Sequence, residues 1–204
     1  MKVALLNPHS PFLLDDRVFA PLGLLQVASA LEREDHNVHI CDLAGFSDIE
    51  PELKRLCSED WDVYGITSTT PQFKSAVEIL RLIRAYAPGK RVIIGGPHPT
   101  VMPESCGLFD SIVQGYGEEA ILEAIQPDSP KLLDQASNVQ KGTLNYLIPA
   151  RHLIDMDSYK YSLEGVKGTN ILTEMGCPFG CLFCSGRLSP FYRRVKYRDT
   201  GEII

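Results

Sequence analysis

Short apolar runs recur through the first 126 residues, and amphipathic stretches separate them. Residues 3–6, 38–41, 63–66, 92–94 and 112–113 are apolar runs of strand length, too short for helices and bounded by turn-forming residues. After the first run, Leu24, Val27, Ala28 and Leu31 fall at i, i+3, i+4 and i+7, which predicts one buried helical stripe. Pro21 stands just ahead of that stripe, where a missing N–H costs least. Residues 71–87 place Phe73, Ala76, Val77, Leu80 and Ile83 on one helical face, and Pro88-Gly89 closes it. Weaker helical patterns cover residues 52–57 and 118–125.

Strands alternating with helices indicate an α/β fold built on a parallel sheet. Five strands over residues 1–126 predict a flavodoxin-like (Rossmann-like) sheet of order 2-1-3-4-5. Such sheets bind ligands at the carboxyl ends of their strands, near the switch point between strands 1 and 3. The segments expected there are rich in small and hydroxylated residues: Thr67, Ser68 and Thr70 after strand 3, Gly95, Gly96 and His98 after strand 4, and Gly115, Gly117 and Glu118 after strand 5. Residues of this kind let a large flat ligand, or its polar tail, approach the backbone. Each segment also has a plainer reading. The run from Thr67 to Thr70 can cap the next helix, His98 can serve as a loop hydrogen-bonder, and Gly115-x-Gly117 can be a steric turn.

Composition narrows the functional classes. The 204 residues are 44% hydrophobic and 23% charged, as in ordinary globular domains. A net charge of −6 argues against non-specific nucleic-acid binding. No apolar stretch approaches the roughly 18–20 residues that span a bilayer, and the N-terminal apolar run is too short for a signal peptide. A reducing cytoplasm is therefore the expected location.

Cys177, Cys181 and Cys184 form a C-x3-C-x2-C cluster. Three thiolates on one loop can hold three irons of a [4Fe–4S] cubane and leave the fourth open, whereas electron-transfer clusters use four cysteines. Pro178 fixes one φ and Gly180 permits a positive one, so the loop can curl around a cofactor. Structural zinc takes four ligands, usually as two pairs, and no second pair exists; His152 lies far upstream. Disulfide frameworks belong to small secreted domains. Cys41, Cys57 and Cys106 are scattered and read as small buried hydrophobes.

With Phe183 as the aromatic of C-x3-C-x-aromatic-C and Gly176-Cys177-Pro178 at its start, this loop resembles that of the radical S-adenosylmethionine (SAM) superfamily. Met175 stands where an arginine is usual. The resemblance implies that Cys177, Cys181 and Cys184 ligate a [4Fe–4S] cluster and that Phe183 packs near the adenine of SAM. It also implies reductive cleavage of SAM to methionine and a 5′-deoxyadenosyl radical, with the electron supplied by an external one-electron reductant. Upstream, Pro21-Leu22-Gly23-Leu24, Thr67-Ser68-Thr69-Thr70-Pro71-Gln72, Gly95-Gly96-Pro97-His98-Pro99-Thr100 and Gly115-Tyr116-Gly117-Glu118 resemble the cobalamin-binding domain of B12-dependent radical SAM proteins. That likeness implies cobalamin as a cofactor, contacted by Thr67, Ser68, Thr70, Gly95, Gly96, His98, Gly115, Gly117 and Glu118. The Asp-x-His-x-x-Gly motif of methionine synthase relatives is absent around His9, His36, His39, His98 and His152. Base-off binding, with an open or water-filled lower face, is what the family resemblance then implies.

The same resemblance divides the chain into a cobalamin-binding-like domain over 1–126, a linker and bridge over 127–167, and the start of a radical SAM β/α barrel over 168–204. Residues 170–173 are expected to be the first barrel strand, delivering the cysteine loop at its carboxyl end. The segment Phe191-Tyr192-Arg193-Arg194-Val195-Lys196-Tyr197-Arg198 is basic with interleaved aromatics. It reads as a strip lying against the barrel and neutralising bound charge, ahead of a nucleic-acid patch. Only residues 185–204 follow Cys184, and a full barrel takes at least about 200 residues. The expectation is the N-terminal portion of a cobalamin-dependent radical SAM methyltransferase or cyclase, too short to be active alone. The alternatives are a cobalamin-binding module without catalysis, and a radical SAM protein whose first domain no longer binds cobalamin. No catalytic side chain is assigned, and the substrate is not legible.

Overall fold

A computed structural model describes residues 1–135, 142–143 and 147–203. The apolar runs become strands β1 (Lys2–Asn7), β2 (Asn37–Asp42), β3 (Val63–Thr67), β4 (Arg91–Gly95) and β5 (Ser111–Gln114). Between them lie α1 (Leu22–Arg33), α2 (Glu50–Cys57), α3 (Phe73–Tyr86) and the short α4 (Pro97–Val101), with α5 (Gly117–Ala124) after β5. The strands pair in parallel, so the doubly wound sheet expected from the pattern forms.

The sheet also has a sixth strand. β6 (Leu132–Asp134) adds in parallel beside β5, giving the order β2-β1-β3-β4-β5-β6. Its sequence hides it. Only Leu133 of the three residues is buried, Leu132 is 43% exposed, and a proline-rich polar stretch precedes it. An edge strand this short carries no periodicity of its own, and its pairing partner defines it.

Strand alternation divides the core into two layers. Val3, Leu5, Val38, Ile40, Val63, Ile93 and Val113 face α1 and α5, while Ala4, Leu6, Tyr64, Ile66, Val92 and Ile94 face α2 and α3. By the same alternation Gly65 and Gly95 fall on the α1/α5 side, where they pair in register with Leu5 and Thr67. The side chains that would fill that layer near the carboxyl ends of the strands are therefore missing.

Residues 147–170 are bound to the α/β unit. The Ala150 N–H donates to the Leu25 carbonyl at 3.1 Å, and Lys160 and Tyr161 donate backbone N–H groups to Arg17 and Val18 at 3.0 and 3.1 Å. Arg17 secures this strap. Its guanidinium donates to the carbonyls of Ala44 and Asp42, at 2.8 and 3.2 Å, and to Ser158 Oγ at 2.6 Å.

β7 (Gly142–Thr143) precedes this strap; β8 (Ser162–Leu163) and β9 (Val166–Lys167) form a small antiparallel hairpin within it. Beyond it come β10 (Glu174–Met175), α6 (Pro190–Arg193) and β11 (Lys196–Tyr197). β11 pairs antiparallel with β10 and parallel with β7. Residues 170–173, expected as a strand, are irregular; pairing begins only at Glu174, where β11 supplies a partner.

Candidate functional site

Absent side chains at the carboxyl ends of β3, β4 and β5 leave a cavity of about 260 Å3 between the sheet, α1 and α5. Leu5, Gly65, Ile93 and Gly95 form its floor, and Gly23, Leu24 and Val27 of α1 face Gly117 and Ile121 of α5 across it. A Cβ placed on Gly23 would meet no atom within 4 Å, so that position opens onto unused space. On Gly65 it would lie 2.7 Å from Leu5 Cδ2, so the floor is already in contact there. The outer wall comes from far along the chain: Met175, Phe191 and Tyr192.

The rim is held by the loops. Gly96 and Gly115 both take φ of 102°, which favours glycine. The Thr100 hydroxyl joins their loops, donating to the Gly96 carbonyl at 2.7 Å and accepting from the Gly115 N–H at 3.1 Å. Further along the rim, Gln72 Nε2 donates to the Pro8 carbonyl at 2.7 Å, while its Oε1 accepts from the Thr69 hydroxyl at 2.8 Å. Gln72 occupies the N-cap of α3 without a side-chain capping bond; the run from Thr67 to Thr70 is not the cap.

Of the nine rim residues singled out in the sequence, Thr67, Gly95, Gly96, Gly115, Gly117 and Glu118 line the cavity. Ser68, Thr70 and His98 do not. Ser68 is fully buried, with its hydroxyl on the Thr69 carbonyl at 2.9 Å. His98 is 3% exposed; its Nδ1 pairs with Thr70 Oγ1 at 3.1 Å and its Nε2 with Ser105 Oγ at 2.9 Å. Its ring also packs on Phe73 with centroids 4.1 Å apart. Both ring nitrogens of His98 are thus engaged within the protein, and burial holds its pKa below the ordinary imidazole value. None of the five histidines lines the cavity. Gly65, Val27 and Phe191 also line the cavity although the sequence did not single them out as rim residues, whereas Gly23 belongs to the Pro21-Leu22-Gly23-Leu24 motif. Glycine inside a strand, as at Gly65, marks close approach.

At the cavity's edge, burial raises the pKa of Glu118, and neighbouring Glu119 adds to the shift. Lys196 is 6% exposed, with its ammonium 3.9 Å from the Tyr116 ring centroid and 3.7 Å from Glu119 Oε1. The basic segment thus turns part of itself inward: Phe191 and Lys196 are buried, whereas Arg193 and Arg194 are exposed.

Cys177, Cys181 and Cys184 are exposed free thiols. Among the described residues no three His, Cys, Asp or Glu side chains converge on a metal position. The donor set suits an iron–sulfur cluster, but the loop does not gather it here. Gly176, not Gly180, carries the positive φ, at 89°. Phe183 is 95% exposed. The scattered cysteines behave as expected: Cys41 and Cys106 are buried and Cys57 partly so, and burial pushes the Cys41 thiol up to about 12. Among the described residues no helix is long and apolar enough to cross a membrane.

Comparison with known proteins gives the arrangement a context. The B12 binding domain family model matches residues 17–125, more than half of the chain. An uncharacterized methyltransferase, PH0819 of Pyrococcus horikoshii, is 33% identical over 90% of this chain and 44% of its own length. The bacteriochlorophyllide d C-12(1)-methyltransferase of Chlorobaculum tepidum is 36% identical over 71% of this chain and 31% of its own. The chain spans less than half the length of these relatives. Among solved structures, the radical S-adenosylmethionine methyltransferase TsrM of Kitasatospora setae, with cobalamin and a [4Fe–4S] cluster bound, superposes with a TM-score of 0.74 at 21% identity. That match covers 99% of this chain and 45% of TsrM, and it shows a shared fold.

Proposed function

Because the chain belongs to the B12-binding domain family, we propose that it binds cobalamin with the aromatic end of the nucleotide tail in the cavity between α1 and α5. The carrying observation is the glycine-floored, largely apolar shape of that cavity. About 260 Å3 accommodates a single aromatic base but not a corrin macrocycle, so the ring remains outside, at the carboxyl ends of the strands. Gly23, Gly65 and Gly95 leave the slot, Val27 and Ile121 flank it, and Glu118 offers an acceptor at its mouth. The Asp-x-His-x-x-Gly motif is absent from the sequence, which supports binding without an axial histidine from that motif.

The wider role proposed is part of a cobalamin-dependent radical SAM enzyme, a methyltransferase or cyclase. When bound, cobalamin supplies a cobalt that can carry a methyl group. Cys177, Cys181 and Cys184 would hold a [4Fe–4S] cluster for reductive SAM cleavage with an external electron donor, and Phe183 would meet the adenine. Three unpaired thiols within one exposed loop support this, as do the methyltransferase relatives.

Anaerobic titration with hydroxocobalamin, followed by reduction and electron paramagnetic resonance, tests the binding mode. The expected result is 1:1 binding and a cob(II)alamin signal without nitrogen splitting. Absence of binding, or splitting from a coordinated nitrogen, would overturn it. Iron reconstitution tests the cluster, whose signal should vanish in Cys177→Ala. A second reading is a cobalamin-binding module without catalysis, favoured by the B12 binding domain match at residues 17–125; cobalamin binding with no iron retention would select it.

A further inference from the structure

We propose that Phe191 and Tyr192 are positioning residues that tie Cys177 to whatever occupies the cavity. This rests on the cavity's being the cobalamin tail site. Both side chains form its outer wall, and both belong to the segment that follows the cysteine loop. Phe191 is 2% exposed and stands edge-on to Tyr116, with centroids 6.3 Å apart. The Tyr116 hydroxyl donates to the Phe191 carbonyl at 3.1 Å. This wall therefore fits into the rim of the α/β unit and does more than rest upon it.

From the wall to the cysteine is one hydrogen bond. The Cys177 N–H donates to the Tyr192 carbonyl at 2.7 Å, so the residue whose side chain faces the cavity holds the first cysteine by its backbone. A second contact reinforces it. An ideal Cβ on Gly176 would sit 2.2 Å from the Arg194 carbonyl oxygen, so the chain beside Cys177 lies directly on the chain beyond Tyr192. The β10–β11 pairing of Met175 with Lys196 closes the clamp, and Met175 itself lines the cavity. At this position an uncharged thioether suits an apolar wall better than the family's usual arginine. A tail seated in the cavity packs against Phe191 and Tyr192 and so restrains Cys177; sites sharing one packed element are coupled in both directions.

Hydrogen exchange followed by mass spectrometry tests this on the whole chain, with cobalamin and with cobinamide, which has the corrin ring but no nucleotide tail. The expected result is exchange slowed roughly five-fold or more in peptides spanning 175–178 and 191–197 with cobalamin, beyond any change in β2, and no such slowing with cobinamide. Gly176 lies outside the cavity lining, and a Cβ there would strike the Arg194 carbonyl oxygen. Gly176→Ala should still bind cobalamin and lose the slowing at 175–178. Bound cobalamin that leaves these peptides unchanged, or equal protection by cobinamide, would overturn the coupling alone. Failure of cobalamin to bind would remove the functional reading and this one with it.

Discussion

A Cβ placed on Gly115 would lie 2.4 Å from Cε1 of Phe191. Two residues separated by 76 positions thus share one volume, and the close approach requires glycine twice over, since its φ is also positive. Gly115→Ala should cost roughly 1–3 kcal/mol from backbone strain and overpacking. The cost should fall on the docking of the C-terminal segment. Limited proteolysis is expected to cut near residues 185–198 while circular dichroism of the sheet stays intact.

Gly23 and Gly65 should respond in opposite ways. Gly23 lies within α1 and its Cβ direction is open, so Gly23→Leu fills the cavity and adds a better helix former, worth up to about 1 kcal/mol. Its melting temperature should hold or rise while cobalamin affinity collapses. Gly65→Ala pushes on Leu5, which is 1% exposed and lines the cavity. Its stability should fall by about 1–3 kcal/mol, with weaker cobalamin binding in the same titration.

Arg17 should not tolerate lysine. Its fork reaches Ala44, Asp42 and Ser158, and its guanidinium lies 5.4 Å from the Tyr159 ring centroid. A lysine keeps the charge but loses the planar donor set. Arg17→Lys should destabilise by about 1–3 kcal/mol and speed hydrogen exchange at Lys160 and Tyr161 first.

Two histidines should make the fold weaker in mild acid. His98 and His39 both have pKa values lowered from 6.5 by burial. Below that value the unfolded chain takes up protons that the folded one refuses, so stability falls as pH drops through 6.5 and levels off beneath the folded pKa values. His98→Gln should flatten the pH dependence of the urea midpoint between about pH 7 and 5, leaving the share of His39.

The order of the first five strands was legible because each is buried and its alternation or apolar run is local. β6 was not, since a short edge strand is specified by its neighbour. The same split runs through the site. Gly95, Gly96, Gly115 and Gly117 stood out as a rim, but His98 stood out with them. Only packing showed its ring closed off by Thr70, Ser105 and Phe73.

By itself, then, the sequence determined the doubly wound sheet, the glycine-rich rim and the three-thiol loop, all written in residues near one another along the chain. Tertiary structure decided that Gly23 and Gly65 open a cavity, that Phe191 and Tyr192 wall it, and that Cys177 hangs from Tyr192. Those relations depend on which helix crosses which strand and on chain segments more than 70 residues apart meeting at one rim. No local pattern encodes such meetings, because packing between distant segments is what creates them.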